Sequence, residues 1–288
     1  MSDQRPQTAN VAPRERILRS SSQRSPVLIT LQDFYDGWRM RGIWLRAAYL
    51  DVKRRYLRTV IGPFWATGHI AVYIIAVGYV FSSVLDTERA TYIPFLATGF
   101  IPWMLIYSML QDSGSAFTSA SSMRQQLAFP YSFFIYMLVW RNLIVHIHNY
   151  ALYLLVSLVY GFTINWTILL LIPGYLLVLC NILWIAAVIS TVAARYRDVQ
   201  QLVAALIQVM VFVTPIFFAP EKLTPLQRTY ILWPNLLYHL VVVIRAPLLG
   251  QVPPLSSYAV LVFSAVAGWA FALWFFGKYR SRIIFWII

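Results

Sequence analysis

Long apolar blocks separated by polar breaks run along most of the chain, and this pattern predicts membrane-spanning helices. Six blocks are near or above the ~20 residues that an α-helix needs to cross about 30 Å of hydrocarbon. Some breaks are short, such as residues 161–165, so neighbouring spans are expected to be antiparallel. The sequence therefore predicts an all-α integral membrane protein with six transmembrane helices, at residues 63–84, 92–110, 133–160, 166–194, 202–218 and 258–276.

An amphipathic pattern precedes the first span. Between residues 31 and 49, aromatic and apolar side chains recur every three or four positions, while charged side chains occupy the other faces. This is typical of a helix lying along the membrane surface, whereas the polar residues before it indicate a disordered tail without a signal peptide. We predict a cytoplasmic tail (1–30), the interfacial helix with a basic junction (31–61), the transmembrane domain (62–277) and a cytoplasmic C-terminal tail (278–288).

The segment between the fifth and sixth predicted spans differs from an ordinary loop. It contains the apolar run 236–244, bounded by prolines, which is too short to cross the bilayer and too apolar for a free loop. Re-entrant half-helices that dip back from the outer face explain it best, since such backbone must be buried in protein or line a wet cavity. A plain surface loop is the alternative interpretation.

Composition and charge set the protein class and the orientation. The chain is 60% hydrophobic and 11% charged, against about 45–50% and about 25% in soluble domains, which excludes an ordinary soluble protein. An even number of spans puts both termini on one side, and that side carries eighteen Lys and Arg against four on the other, with Arg141 inside the third span. By the positive-inside rule both termini are cytoplasmic. Much of the net charge of +13 therefore reflects topology rather than nucleic-acid binding.

The sequence shows no energy source of its own. It lacks the glycine-rich phosphate loop, the zinc-protease motif H-E-x-x-H and the nucleophile motif G-x-S-x-G. Asp112 and Asp198 lie near span ends, and neither lies mid-bilayer, where a proton-coupled carrier usually places a carboxylate. The one cysteine, Cys180, excludes an intramolecular disulfide and a cysteine-based metal site. The protein is either passive or driven by a partner.

Six short motifs follow the order of a known family. Residues 54–65 resemble the R-Y-x-x-[ST]-x-[LI]-G-P-x-W start of the first span in ABC-2-type permeases that export bacterial polysaccharides such as O-antigen and capsule. The outer segment departs from the family pattern, with the order Pro234-Asn235 and with Val242 in place of a frequent acidic residue. The other motifs are residues 99–103, 126–130, 195–198, 214–216 and 245–250, and the resemblance covers about residues 31 to 277.

The resemblance implies an ABC-2 (type V exporter-like) fold and a permease rather than an enzyme. The subunit would move a polyprenyl-diphosphate-linked polysaccharide out of the cytoplasm across the bacterial inner membrane. A homodimer of this chain would sit on two copies of an ABC ATPase that bind ATP and Mg, while this chain would hold no cofactor, no metal and no nucleic acid. An ABC-2 permease for drugs or simple lipids is one alternative. A membrane-embedded glycosyl- or phosphotransferase is another, although it would need more acidic residues at a membrane face.

The basic junction supplies the candidate substrate residues. Arg54, Arg55 and Arg58 lie where the surface helix meets the first span. Guanidinium forks pair well with phosphate oxygens, and the resemblance implies a lipid diphosphate as their ligand. The alternative is ordinary positive-inside charge with Asp51 as a partner one helical turn away.

Two sets of residues are candidates for the channel. Asn142, His146 and Asn149 share one face of the third span, where polar groups form interhelical hydrogen bonds or line a pore. Aromatic residues make up 16% of the chain, more than membrane anchoring needs. These residues either anchor the protein at the membrane interface and fill its core, or form a surface along which sugar rings stack. The candidates for such a surface are Tyr73, Trp103 and Tyr107.

The serine-rich stretch 111–132 has helical spacing and predicts a short amphipathic helix. It is either a connector or, as the resemblance implies, a segment that docks on the ATPase together with the surface helix. The candidate coupling residues are Trp38, Arg124, Gln126, Arg197 and Asp198.

Overall fold

The computed structural model describes residues 25–62, 64–119, 129–161 and 165–287, and within these ranges the chain is helical without strands. The all-α prediction is therefore confirmed. The helices are α1 (Pro26–Arg39), α2 (Arg41–Arg55), α3 (Phe64–Val84), α4 (Arg89–Ser113), α5 (Tyr131–Tyr160), α6 (Leu171–Arg195, after a 3-10 turn Trp166–Leu170), α7 (Asp198–Val213), α8 (Pro225–Leu232), α9 (Leu236–Leu248) and α10 (Leu255–Trp286).

Five of the described helices are long and apolar enough to cross a membrane: α3, α4, α5, α6 with its 3-10 turn, and α10. The remaining predicted span, 202–218, corresponds to α7, which has only 16 residues, or about 24 Å at 1.5 Å per residue. It ends at Val213 because Thr214 precedes a proline and takes an extended conformation, with ψ of 131°. The protein is a multi-pass membrane protein, with a fifth span shorter than predicted.

The N-terminal amphipathic segment is two helices rather than one. The first begins at Pro26, earlier than predicted, because the Ser25 side chain caps it by accepting a hydrogen bond from the backbone N–H of Leu28. A break at Met40 separates α1 from α2. Residues 26–30, which we predicted as tail, are therefore helical, and residues 1–24 lie outside the described ranges.

The C-terminal helix also exceeds its prediction. It continues through the predicted tail, from residue 278 to Trp286. Ile283 is fully buried in this extension, and Gly277 lies so close to the backbone of Pro26 that a Cβ would overlap its carbonyl oxygen. Packing against α1 therefore holds the last turns in helical form.

The spans are antiparallel around α4, of whose apolar window 78% is buried, against 22% for α3. At one end, Ser190 near the end of α6 donates to the carbonyl of Ser113 at the end of α4. At the other end, Tyr153 donates to the carbonyl of Leu248, and Lys222 donates to the carbonyl of Leu85. The first end also carries α1, α2 and most of the described basic residues, and we call it the basic end.

The outer segment forms a bent pair. Helices α8 and α9 meet at 106°, and α9 is buried, with Leu240 and Ile244 inaccessible to solvent. The carbonyls of its last turn accept hydrogen bonds from Thr167 and Tyr153. This geometry agrees with the predicted re-entrant arrangement and not with a surface loop.

Candidate functional site at the basic end

A buried carboxylate attaches the N-terminal helix to the transmembrane helices. Asp33 of α1 accepts hydrogen bonds from the backbone N–H groups of Tyr131 (3.4 Å) and Ser132 (2.9 Å) at the start of α5. It also pairs with Nε of Arg280 in α10, at 2.6 Å. The first N–H groups of a helix have no partner within it and sit at its positive end, so a carboxylate is well placed there. Asp33 therefore joins α1 to two other helices.

Further contacts fix the same helix. Thr30 donates to the carbonyl of Leu273, and Ser132 donates to the carbonyl of Asp33. Gly37 permits the close approach, because a Cβ there would overlap the hydroxyl of Ser132. The position of α1 is thus set by close packing as well as by charge.

A second ionic network joins α2, α4 and α5. Arg141 pairs with Asp51 at 2.8 Å and with Asp112 at 2.7 Å, and Asn142 donates to the same carboxylate of Asp112 at 2.9 Å. A charge within a span requires such partners. Sequence spacing does not reveal this network, because Asp51 lies ninety positions from Arg141.

The predicted substrate residues are exposed at this end. Arg55 is 3.6 Å from Asp51, a carboxylate that Arg141 holds more closely. Among the described residues, Arg54 and Arg58 form no ion pair. Arg58 has a φ of +68° and turns the chain from α2 toward α3. Guanidinium donors are therefore free for a ligand beside the first span.

The predicted coupling residues are partly described. Trp38 is half exposed, with its ring 6.1 Å from Trp44 and 5.9 Å from Tyr136. Arg197 and Asp198 are exposed where α6 passes into α7. All three lie at the basic end. Arg124 and Gln126 fall outside the described residues, as does much of the predicted helix 111–132, of which residues 114–119 form turns.

The polar channel candidates are buried within the subunit. Asn149 accepts from Thr67, and His146 shares a 2.5 Å hydrogen bond with Tyr175. Asn142 is bound to Asp112. These contacts favour interhelical hydrogen bonding, the structural interpretation of this face.

The aromatic candidates divide by exposure. Trp103 is buried in the core, whereas Tyr73 and Tyr107 are partly exposed. Tyr73 stacks on Phe100 with ring centroids 4.6 Å apart. The sequence-based candidates did not include Phe217, which follows the break after α7 and joins these rings into a cluster. We call this cluster the aromatic ladder; its rings are Tyr73, Phe81, Phe100, Phe212 and Phe217, with centroids 5.6–6.5 Å from that of Phe217.

A buried arginine connects the re-entrant segment to the end of α7. Arg245 of α9 donates to the carbonyl of Pro215 at 2.6 Å, and its guanidinium lies 4.3 Å from the ring centroid of Phe95. Gly99 leaves the space, since a Cβ there would overlap the guanidinium. In the described part of the chain Arg245 has no carboxylate partner.

The described residues contain no group of three or more His, Cys, Asp or Glu that could hold a metal ion. The two histidines of α5 have separate partners: His146 contacts Tyr175, and His148 contacts the carbonyl of Ile144.

Comparison with known proteins agrees with this architecture. A family model described as "ABC-2 type transporter" matches residues 48–249, from within α2 to just beyond α9. Three similar proteins are each named "O-antigen export system permease protein RfbA". One from Klebsiella pneumoniae is 22% identical over 236 residues, which cover 81% of this chain and 90% of that protein. One from Myxococcus xanthus is 22% identical over 185 residues (63% and 70%), and another from Klebsiella pneumoniae is 24% identical over 180 residues (60% and 68%).

Proposed function

Because the chain belongs to the ABC-2 type transporter family, we propose that it is the permease subunit of an ATP-driven exporter of a lipid-linked cell-surface polysaccharide. The relatives named for O-antigen export support this substrate class. The observation that carries the proposal is the exposed basic junction. Arg54 and Arg58 present unpaired guanidinium groups directly beside the first span.

The ligand of this junction is the diphosphate of a polyprenyl-linked glycan. Guanidinium groups bind phosphate oxygens through paired N–H donors. The concentration of basic residues at this end supports a cytoplasmic position for it and for both termini in a bacterium, by the positive-inside rule. The lipid tail stays in the inner membrane while Arg54, Arg55 and Arg58 hold the headgroup.

A separate ABC ATPase supplies the energy. Two copies dock at the basic end, on α1 through Trp38, on the turn at Arg197 and Asp198, and on the segment with Arg124 and Gln126. ATP and Mg bind to that partner, and this chain holds no cofactor. The fixed attachment of α1 to α5 and α10 transmits closure of the ATPase to the spans.

Two permease copies enclose the path. Within one subunit α4 is packed on most sides, which leaves little room for a polymer. The aromatic ladder and Tyr107 line the path, because aromatic faces stack on the C–H faces of sugars without a deep binding well. Trp103, Asn142, His146 and Asn149 support that surface from inside the subunit.

The basic junction is tested by reversing its charge. The triple variant Arg54→Glu, Arg55→Glu and Arg58→Glu is expected to abolish glycan export while membrane insertion and assembly with the ATPase stay normal. Arg41→Glu with Arg46→Glu, on exposed positions of α2, is the matched control for a change of surface charge. Export that is unchanged in the triple variant would reject the substrate role.

The aromatic path is tested separately. Tyr73→Ala combined with Phe212→Ala removes two accessible rings of the aromatic ladder and is expected to slow export of long chains severalfold at normal expression. Tyr73→Phe keeps the ring and should export at the normal rate. An unchanged rate in the double alanine variant would contradict the stacking role.

A further inference from the structure

A half-enclosed cavity of about 220 Å³ lies at the basic end between α6 and α10, and the proposed transport mechanism does not use it. The residues of α10 that line it are four and seven positions apart, so they share one helix face. The cavity is lined by Thr191, Val192, Arg195 and Tyr196 at the end of α6 and by Phe275, Tyr279 and Trp286 of α10.

The positively charged side chain that lines this cavity, Arg195, packs against aromatic rings and not against a carboxylate. The guanidinium of Arg195 lies 5.2 Å from the ring centroid of Tyr196 and 5.3 Å from that of Trp286. Such contacts fix a guanidinium while leaving N–H donors available. Within the described ranges Arg195 forms no ion pair, and neither does Asp198 in the same turn.

Two further cations lie on α10 beside residues that line the cavity. Lys278 lies 4.9 Å from the ring centroid of Trp274 and 5.6 Å from that of Tyr279. Arg282 is exposed on the helix face that carries Tyr279 and Trp286. Neither has a carboxylate partner among the described residues, whereas Arg280 of the same helix pairs with the buried Asp33. The mouth of the cavity is therefore cationic.

Part of the cavity lining and the neighbouring surface of α10 are apolar. Val192 and Phe275 line the cavity, and the neighbouring Phe271 and Trp274 of α10 are nearly half exposed. An ion such as free phosphate gains nothing from this surface, whereas a lipid covers it with an acyl chain. Basic pockets between transmembrane helices at the membrane surface suit anionic headgroups.

We propose that this cavity binds an anionic phospholipid of the surrounding membrane. The phosphodiester contacts Arg195 and Lys278, and the acyl chain lies along Phe275 and Phe271. The site is separate from Arg54, Arg55 and Arg58, and it does not depend on the transported substrate. A polyprenyl diphosphate has a related headgroup, so the experiment separates the two lipids.

Native mass spectrometry of the purified full-length protein measures the bound lipid. Phosphatidylglycerol, phosphatidylcholine, a polyprenyl diphosphate and inorganic phosphate are added in parallel. Phosphatidylglycerol is expected to bind in preference to phosphatidylcholine and to resist displacement by millimolar phosphate. The double variant Arg195→Gln with Lys278→Gln should lower the affinity for phosphatidylglycerol roughly 25-fold, since each basic side chain near an anionic headgroup contributes about fivefold to binding.

Arg39→Gln is the matched control, because Arg39 also lies over an aromatic ring at the basic end, that of Tyr35, but outside the cavity. It should bind phosphatidylglycerol normally. Val192→Phe narrows the cavity, leaves every cation in place and should also weaken binding, which tests the site if the double variant fails to fold. The proposal would be overturned if the cavity variants bound phosphatidylglycerol normally, or if Arg39→Gln lost as much binding as they do. Displacement of the lipid by phosphate, or a preference for the polyprenyl diphosphate, would also overturn it.

Discussion

Arg245 shows how a single charge is accommodated inside the re-entrant segment. The helix α7 ends at Val213, so the carbonyl groups of Pro215 and Ile216 are outside a helix and accept from the guanidinium instead. A buried charge is costly unless its donors are used. The arginine and the break after α7 therefore supply part of each other's hydrogen bonds, while the buried Nε of Arg245 has no hydrogen-bond partner among the described residues.

Replacing Arg245 by methionine should destabilise the protein by about 3 kcal/mol, since a buried hydrogen bond to a charged group contributes roughly 1.5–3 kcal/mol and its loss leaves carbonyls unpaired. Thermal unfolding in detergent measures the change. Arg89→Met, at an exposed arginine on the same end of the protein, is expected to unfold at nearly the normal temperature. A normal melting temperature for Arg245→Met would show that these hydrogen bonds contribute little.

Residue-level prediction succeeds where helix geometry alone decides. The spacing of Asn142, His146 and Asn149 predicted a shared face, and all three are buried together. The partners of Arg141 and Arg245 could not be predicted, because they come from segments brought together only by the tertiary fold. The exposed guanidinium groups of the basic junction also depend on the tertiary fold, because Asp51 pairs more closely with Arg141 than with Arg55.

The N-terminal helix α1 is the element whose position is most specifically determined at the basic end. Its contacts with α5 and α10 come from one carboxylate, two hydroxyl groups and two close glycine approaches. A helix lying only on lipid would need none of them. In the proposed mechanism these contacts would transmit a movement of α1 to the spans.

Asp33→Asn tests this attachment. The substitution removes the ion pair with Arg280 and weakens the cap on α5, an interaction typically worth about 1 kcal/mol in N-caps and more where a buried charge is involved. Faster hydrogen exchange is expected across residues 26–39. Asp36→Asn, on the same helix but without the contact to α5, is the control. Equal protection of α1 in Asp33→Asn and in the normal protein would contradict the anchoring role.

Apolar run length predicted five spanning helices well, because the bilayer fixes the length that a helix needs. Three of the differences from the predicted elements have local causes. Pro215 ends α7 early, Met40 divides the surface segment, and α10 continues past Lys278 because packing against α1 stabilises it. The last difference matters most, since it creates the cavity beside Arg195.

At the scale of the whole molecule, the fold separates two tasks. The basic end carries the anchored surface helices, the free arginines and the turn before α7, while the opposite end carries the re-entrant pair and Arg245. The proposed exporter uses the first end to receive the lipid-linked glycan and the ATPase, and the second end to release the polymer. In this proposal the chain forms the path and its partner supplies the energy.

Inverted proteoliposomes that contain this permease test whether the path and the energy source are on separate chains. Lipid-linked polysaccharide is added outside, and transported glycan is measured as material that becomes protected from an added glycosidase. We expect no protection with the permease alone, and protection when the partner ATPase and Mg-ATP are both present. Protection of glycan by the permease alone, without the ATPase, would contradict the proposal.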